Sequence, residues 1–194
     1  MSVGDCERAF ADAAAADGIH LTRYRSEFVN QRGHFGLPES ASRAATVLEQ
    51  IFYALGGKAE EQEAKRLTPL PGDFIHPPTG TVIEIDELQH FTSFRRETFE
   101  HYPTDRVLNF DIREYSNLCD ALSSKADSYR RAKPAAGFGI GGRQRQRAYY
   151  DALRDLVLPS VGHPPIIRIP AVDGDGARAY CSHRDRISRA IATA

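Results

Sequence analysis

The chain has 194 residues, 41% of them hydrophobic and 26% charged, a composition that suits one globular domain with a single core and disfavours long disorder or a fibrous fold. No stretch approaches the roughly 18 apolar residues of a membrane-spanning helix, and the acids in MSVGDCERAFADAAAADGIH read against a signal peptide. The net charge of −1 hides an asymmetry: residues 1–124 carry 12 Lys/Arg against 20 Asp/Glu, whereas residues 125–194 carry 13 against 6, which suggests a polyanion partner or two halves that attract each other. Cys6, Cys119 and Cys181 are widely spaced and odd in number, so a disulfide framework is not expected and a cytoplasmic setting is the default.

In chain order, residues 6–16 read as an alanine-rich helix ended by Asp17-Gly18. Residues 18–40 are mixed, with Gly33, Gly36 and Pro38 marking a loop, and residues 1–40 together read as an N-terminal extension. Ser40 or Ser42 caps a second helix, whose Ala44, Val47, Leu48, Ile51, Phe52 and Leu55 recur with helical period until Gly56-Gly57 stop it. After a polar link, residues 64–86 read as a meander of two or three strands. It contains Asp73-Phe74-Ile75, a turn at Pro77-Pro78-Thr79-Gly80 and a β-branched strand over 81–86.

Residues 91–142 read as a mostly helical insertion, with a strand expected over 107–112 and a helix over 114–129. The segment 137–142 is predicted to be a flexible glycine loop. It leads into Arg143, Arg145 and Arg147 and a helix with Tyr149, Leu153, Leu156 and Val157 turned inward. A proline-bounded strand over 165–170, a turn over 173–176 and a helix over 184–192 complete the pattern. The order predicts a single α/β domain over 1–194 with a mixed central sheet.

The chemistry concentrates between Asp73 and His90. Glu84 and Asp86 are two apart on one strand, so they share a face, and a short hairpin brings Asp73 beside them. Three carboxylates on one face repel each other unless a cation joins them, and hard oxygen ligands favour Mg²⁺ or Mn²⁺. Such an ion polarises a phosphoryl oxygen and lowers the pKa of bound water. Gln89 and His90 follow the strand end, within reach of a water or a phosphate, and a histidine suits general acid or base work near neutral pH. The competing reading is a solvated strand face with acids outward and isoleucines inward. His76 reads as a loop residue near this site, and Cys181 with His183 makes no zinc signature.

Asp-Phe, a turn, and an apolar strand ending Glu-x-Asp-x-x-Gln-His resemble the PD-(D/E)XK restriction-endonuclease-like nucleases, closest to the very-short-patch-repair endonuclease branch. The resemblance covers about residues 43–90 and 143–170. It implies a core of α-β-β-β-α-β type and a metal-dependent phosphodiesterase. By it, Asp73 is the core metal-binding aspartate, and Glu84 and Asp86 are the acidic pair on the next strand. His90 matches the family histidine, Gln89 the residue before it, and Glu49 the glutamate of the preceding helix. The sequence departs from the pattern in having Asp86 where the third-strand lysine is usual and Glu87 where a glycine usually follows.

Arg143, Arg145 and Arg147, following four glycines, are the expected contacts to a nucleic-acid backbone, since arginine forks suit phosphate oxygens. The resulting expectation is a divalent-metal-dependent endonuclease acting on DNA more than RNA, in repair, restriction or defence. The alternative is a catalytically inactive nucleic-acid-binding or protein-interaction module on the same fold. In either case residues 91–142 are available to a second copy or a protein partner.

Overall fold

The computed structural model describes residues 4–193. In chain order the elements are α1 (Asp5–Ala16), β1 (Thr22–Asn30), α2 (Ser42–Ala54), α3 (Ala59–Glu63), β2 (Pro69–His76) and β3 (Thr81–Glu87), followed by α4 (Ser93–Thr98), α5 (Ile112–Ala126), α6 (Arg143–Ser160), β4 (Ile167–Ala171) and α7 (Gly176–Ala192). The four strands form one mixed sheet in the order β1-β2-β3-β4, antiparallel except for the parallel β3–β4 pair. A parallel neighbour requires a crossover, and residues 88–166 provide it through α4, α5 and α6.

The sheet separates two apolar clusters. On one face Ile83 and Ile85 of β3 and Ile167 and Ile169 of β4 pack with Cys6 and Phe10 of α1 and Tyr180 and Ile187 of α7. Each such side chain contributes about 1.5–3 kcal/mol relative to exposure. On the other face Tyr24 and Val82 pack in the larger cluster with Leu48 and Phe52 of α2, Tyr115 of α5 and Tyr149 and Leu153 of α6. β3 is therefore buried on both faces, and period-2 alternation directs Glu84 and Asp86 toward the α6 side. With 4% and 1% exposure they do not form a solvated strand face.

Several elements differ from the sequence expectation. Residues 1–40 are not an extension as far as they are described, because α1 belongs to the core and β1 is the edge strand of the sheet. β1 escapes a period-2 reading because its register to β2 shifts twice, and Ser26 Oγ accepts the N–H groups of Phe28 and Val29. The polar link after α2 contains the short helix α3, whose buried Gln62 donates to the Gln31 carbonyl. No strand forms over 107–112. There Asp111 caps α5 by accepting the N–H groups of Arg113 and Glu114, which starts the helix at Ile112. The 137–142 loop is anchored by Phe138, which is fully buried among Phe52 and Tyr149. Leu156 is only half-buried, whereas Tyr149, Leu153 and Val157 face inward as expected. The three cysteines are free. Among the described residues, no helix is long and apolar enough to cross a membrane.

Candidate functional site

The β2–β3 ladder pairs His76 with Thr81, Ile75 with Val82 and Phe74 with Ile83, then gives way to side chains. At the next position Asp73 Oδ2 accepts the Ile85 N–H at 2.7 Å, and the Asp73 N–H donates to Glu84 Oε1 at 3.1 Å. Two carboxylates are thus built into the seam of the sheet. Gly72 makes room for them: a Cβ there would lie 2.6 Å from Glu84 Oε1 and 2.9 Å from the Tyr24 ring. Burial and the neighbouring Glu84 push the Asp73 carboxyl up to about 8. Burial also raises Glu84, against the opposing pull of Arg154 and Arg168. Each carboxylate uses one oxygen in these bonds, Oδ2 of Asp73 and Oε1 of Glu84.

The pair opens into a cleft of about 400 Å³. Glu7 of α1, Asp73, Glu84 and Glu87 form its acidic wall, and α6 supplies Arg143, Arg147, Tyr150, Asp151 and Arg154 opposite. Arg154 Nε lies 3.7 Å from Glu84, while Arg154 also donates to the Pro71 carbonyl at 2.6 Å. Arg147 donates to the Gln89 carbonyl, and Gln89 Nε2 donates to Glu87 Oε2. Glu7 Oε2 is buried without a hydrogen-bond partner.

Beneath the cleft lies a different arrangement. Arg168 of β4 donates from one nitrogen to both oxygens of Asp86, at 2.8 and 3.0 Å, and from Nε to Asp155 at 2.6 Å. Arg95 donates to Asp155 at 2.6 Å, and the hydroxyls of Tyr115 and Tyr102 donate to Asp86 and Asp155. His90 bridges the two layers. Its Nδ1 donates to Asp151 Oδ2 at 2.9 Å and lies 3.3 Å from Asp86 Oδ1. Burial works against the charged imidazole, but Asp151 and Asp86 outweigh it and raise the His90 pKa. Burial likewise opposes the Asp151 charge, yet His90 and Arg168 hold that carboxyl well below its ordinary value.

The expected three-carboxylate cage is therefore divided. Among the described residues, the group whose ligand atoms all lie within 4.8 Å of one another is Asp86, His90 and Asp151, not Asp73, Glu84 and Asp86. In that group Asp86 is already committed to Arg168 and Tyr115, and a guanidinium stands where a dication would be repelled. Asp73 and Glu84, mutually repelling and oxygen-only, have the donor chemistry that fits a hard dication better.

Asp73, Glu84, Gln89, His90, Arg143 and Arg147 all line the cleft, with Asp86 directly below. Glu49 does not: it is exposed on α2, and the titratable group it influences is His34. Arg145 does not either, because it donates to the Phe138 and Ile140 carbonyls and holds the glycine loop. His76 is engaged with Thr79 in the β2–β3 turn. Glu7, Asp151, Arg154 and Arg168 were not singled out by sequence. Arg147, Asp151, Arg154 and Asp155 recur at helical spacing, so a charged stripe ran beside the apolar one on α6. That stripe was the legible signal for a polar cluster against the sheet.

Fold and cleft together define an α/β protein with a carboxylate pair set against an arginine-bearing helix. Residues 50–133 match the model of a family of unknown function (DUF7255), a stretch that includes Asp73 to His90 but neither α1 nor α6. No curated protein and no solved structure matches the chain.

Proposed function

We propose that this chain is a divalent-metal-dependent nuclease on a restriction-endonuclease-like core, acting on DNA. The elements α1, β1, β2, β3, α6 and β4 follow an α-β-β-β-α-β order, with residues 31–68 and 88–142 as intervening segments. The observation that carries the reading is the Asp73–Glu84 pair. Burial raises the pKa of both carboxyls, and Glu84 adds to the rise at Asp73, in a cleft that Arg143, Arg147 and Arg154 also line. Asp73 and Glu84 would hold Mg²⁺ or Mn²⁺, which supplies Lewis-acid polarisation of the phosphoryl group when bound. Arg143 and Arg147 hold the phosphate backbone without reading sequence. His90, kept protonated and oriented by Asp151, gives a proton to the leaving oxygen, or takes one from water once neutral. Glu7 takes the assisting place that sequence had given to Glu49, and Gln89 positions the approach to His90. Such an enzyme would serve repair, restriction or defence from the cytoplasm.

The test is incubation with Mn²⁺ across single- and double-stranded DNA and RNA, beside calorimetric Mn²⁺ titration. Cleavage by the wild type, with cleavage and Mn²⁺ binding lost in Asp73→Asn and Glu84→Gln at unchanged circular dichroism, is the expected result. Cleavage that survives both substitutions defeats the proposal. Arg168 on Asp86 and Arg154 beside Glu84 favour one second reading, a non-hydrolysing nucleic-acid-binding module. Metal binding without cleavage of any substrate selects it.

A further inference from the structure

Residues 128–150 contain six basic residues (Arg130, Arg131, Lys133, Arg143, Arg145 and Arg147) and no Asp or Glu. In their midst stands Ile140, 87% exposed, the most exposed large apolar side chain among the described residues. The loop that presents it is built rather than loose. Ala135 and Gly139 form a bridge, and Phe138 is buried against Phe52 and Tyr149. Arg145 donates to the carbonyls of Phe138 at 2.8 Å and Ile140 at 3.2 Å. Gly139 and Gly141, at φ 70° and 65°, turn the chain on either side of Ile140 in a conformation that side-chain-bearing residues resist. Ile140 precedes Arg143 of the cleft by three residues, so the two Cα atoms lie within about 11 Å.

We propose that Ile140 is a wedge that enters the base stack of duplex DNA beside the cleft, while the surrounding basic residues hold the flanking phosphates. This rests on the nuclease reading and adds to it the form of the substrate and how it is gripped. An aliphatic side chain at the tip of a fixed, positively charged loop suits parting adjacent base pairs and kinking the duplex. Single strands are instead gripped on aromatic platforms, and isoleucine offers no π face for stacking. A bilayer requires a broader apolar face than one isoleucine between glycines presents.

The experiment uses the full chain in EDTA, so that no hydrolysis starts, and a DNA duplex with 2-aminopurine placed at successive positions. Wild-type protein is expected to raise the fluorescence at one step severalfold as that base unstacks. Ile140→Ala is expected to remove that rise while binding the duplex with the same steep salt dependence, and Ile140→Leu to restore it. Substitution at so exposed a side chain leaves the fold intact, which circular dichroism checks. Three results overturn the proposal: an unchanged rise in Ile140→Ala, no rise or no duplex binding by the wild type, or Ile140-dependent binding to anionic phosphatidylserine vesicles instead. None of them alters Mn²⁺ binding by Asp73 and Glu84, so the wedge and the hydrolytic reading fail separately.

Discussion

Glu84 and Asp86 stand two residues apart on one face of β3, both buried, yet their surroundings are opposite. Asp86 receives Arg168 and a tyrosine hydroxyl in a network where Asp86, Asp151 and Asp155 face Arg95, Arg168 and His90, whose pKa Asp151 and Asp86 raise. Glu84 lies against Asp73, with Arg154 as its nearest cation at 3.7 Å. The lower region's charges are matched to one another, whereas, among the described residues, the upper pair borders the cleft with a single cation near it. A buried carboxylate without a close ion-pair partner costs stability, which makes this part of the strand the candidate place for a ligand.

Removing the balance below has the largest expected effect. Arg168→Ala leaves Asp86 and Asp155 buried with reduced compensation, and its unfolding free energy in urea should fall by about 3–5 kcal/mol. A loss under about 1 kcal/mol would erase the distinction between the two regions. The upper pair should respond to pH in the opposite sense to an ordinary salt-bridged acid. The Asp73 carboxyl is pushed up to about 8 in the fold, against roughly 3.9 in an unfolded chain, so the folded state keeps a proton that the unfolded state releases. Its contribution to stability is then highest below about pH 4 and is lost as pH rises through about 8. Denaturation of wild type and Asp73→Asn at intervals over that window should show the wild type falling relative to the variant. The relative slope should be at most about 1.4 kcal/mol per pH unit. Parallel curves would remove the argument for a strained pair. The smallest effect belongs to Glu49→Ala on exposed α2, which should change stability by no more than about 0.5 kcal/mol and leave Mn²⁺ titration unaltered. A weakened titration would return that helix to the site.

Much of this comparison was readable before any coordinates. Strand alternation placed Glu84 and Asp86 together, the hairpin brought Asp73 alongside, and the 3.6-residue stripe marked α2. Sequence could not tell which acid an arginine would claim, because Arg168 is 82 residues from Asp86 and meets it only through the β3–β4 crossover. β1 was hidden by its bulges and by the polar residues of an edge strand, and with residues 18–40 read only as a mixed stretch, α1 had no sheet to cover. The proposed assisting role therefore falls to Glu7 of α1, which borders the cleft, and not to Glu49. Arg145 shared its spacing with Arg143 and Arg147, but on a helix residues two apart face different sides, so the two neighbours reached the cleft and Arg145 reached the loop.

The distance in sequence between Asp86 and Arg168 also sets an order of assembly. Until β4 has joined the sheet, the carboxylates of Asp86 and Asp155 lack the guanidinium that both accept, and closing so long a loop is slow. During synthesis the β2–β3 hairpin leaves the ribosome long before its counter-charge, so the floor of the cleft becomes solid only when the final third of the chain arrives.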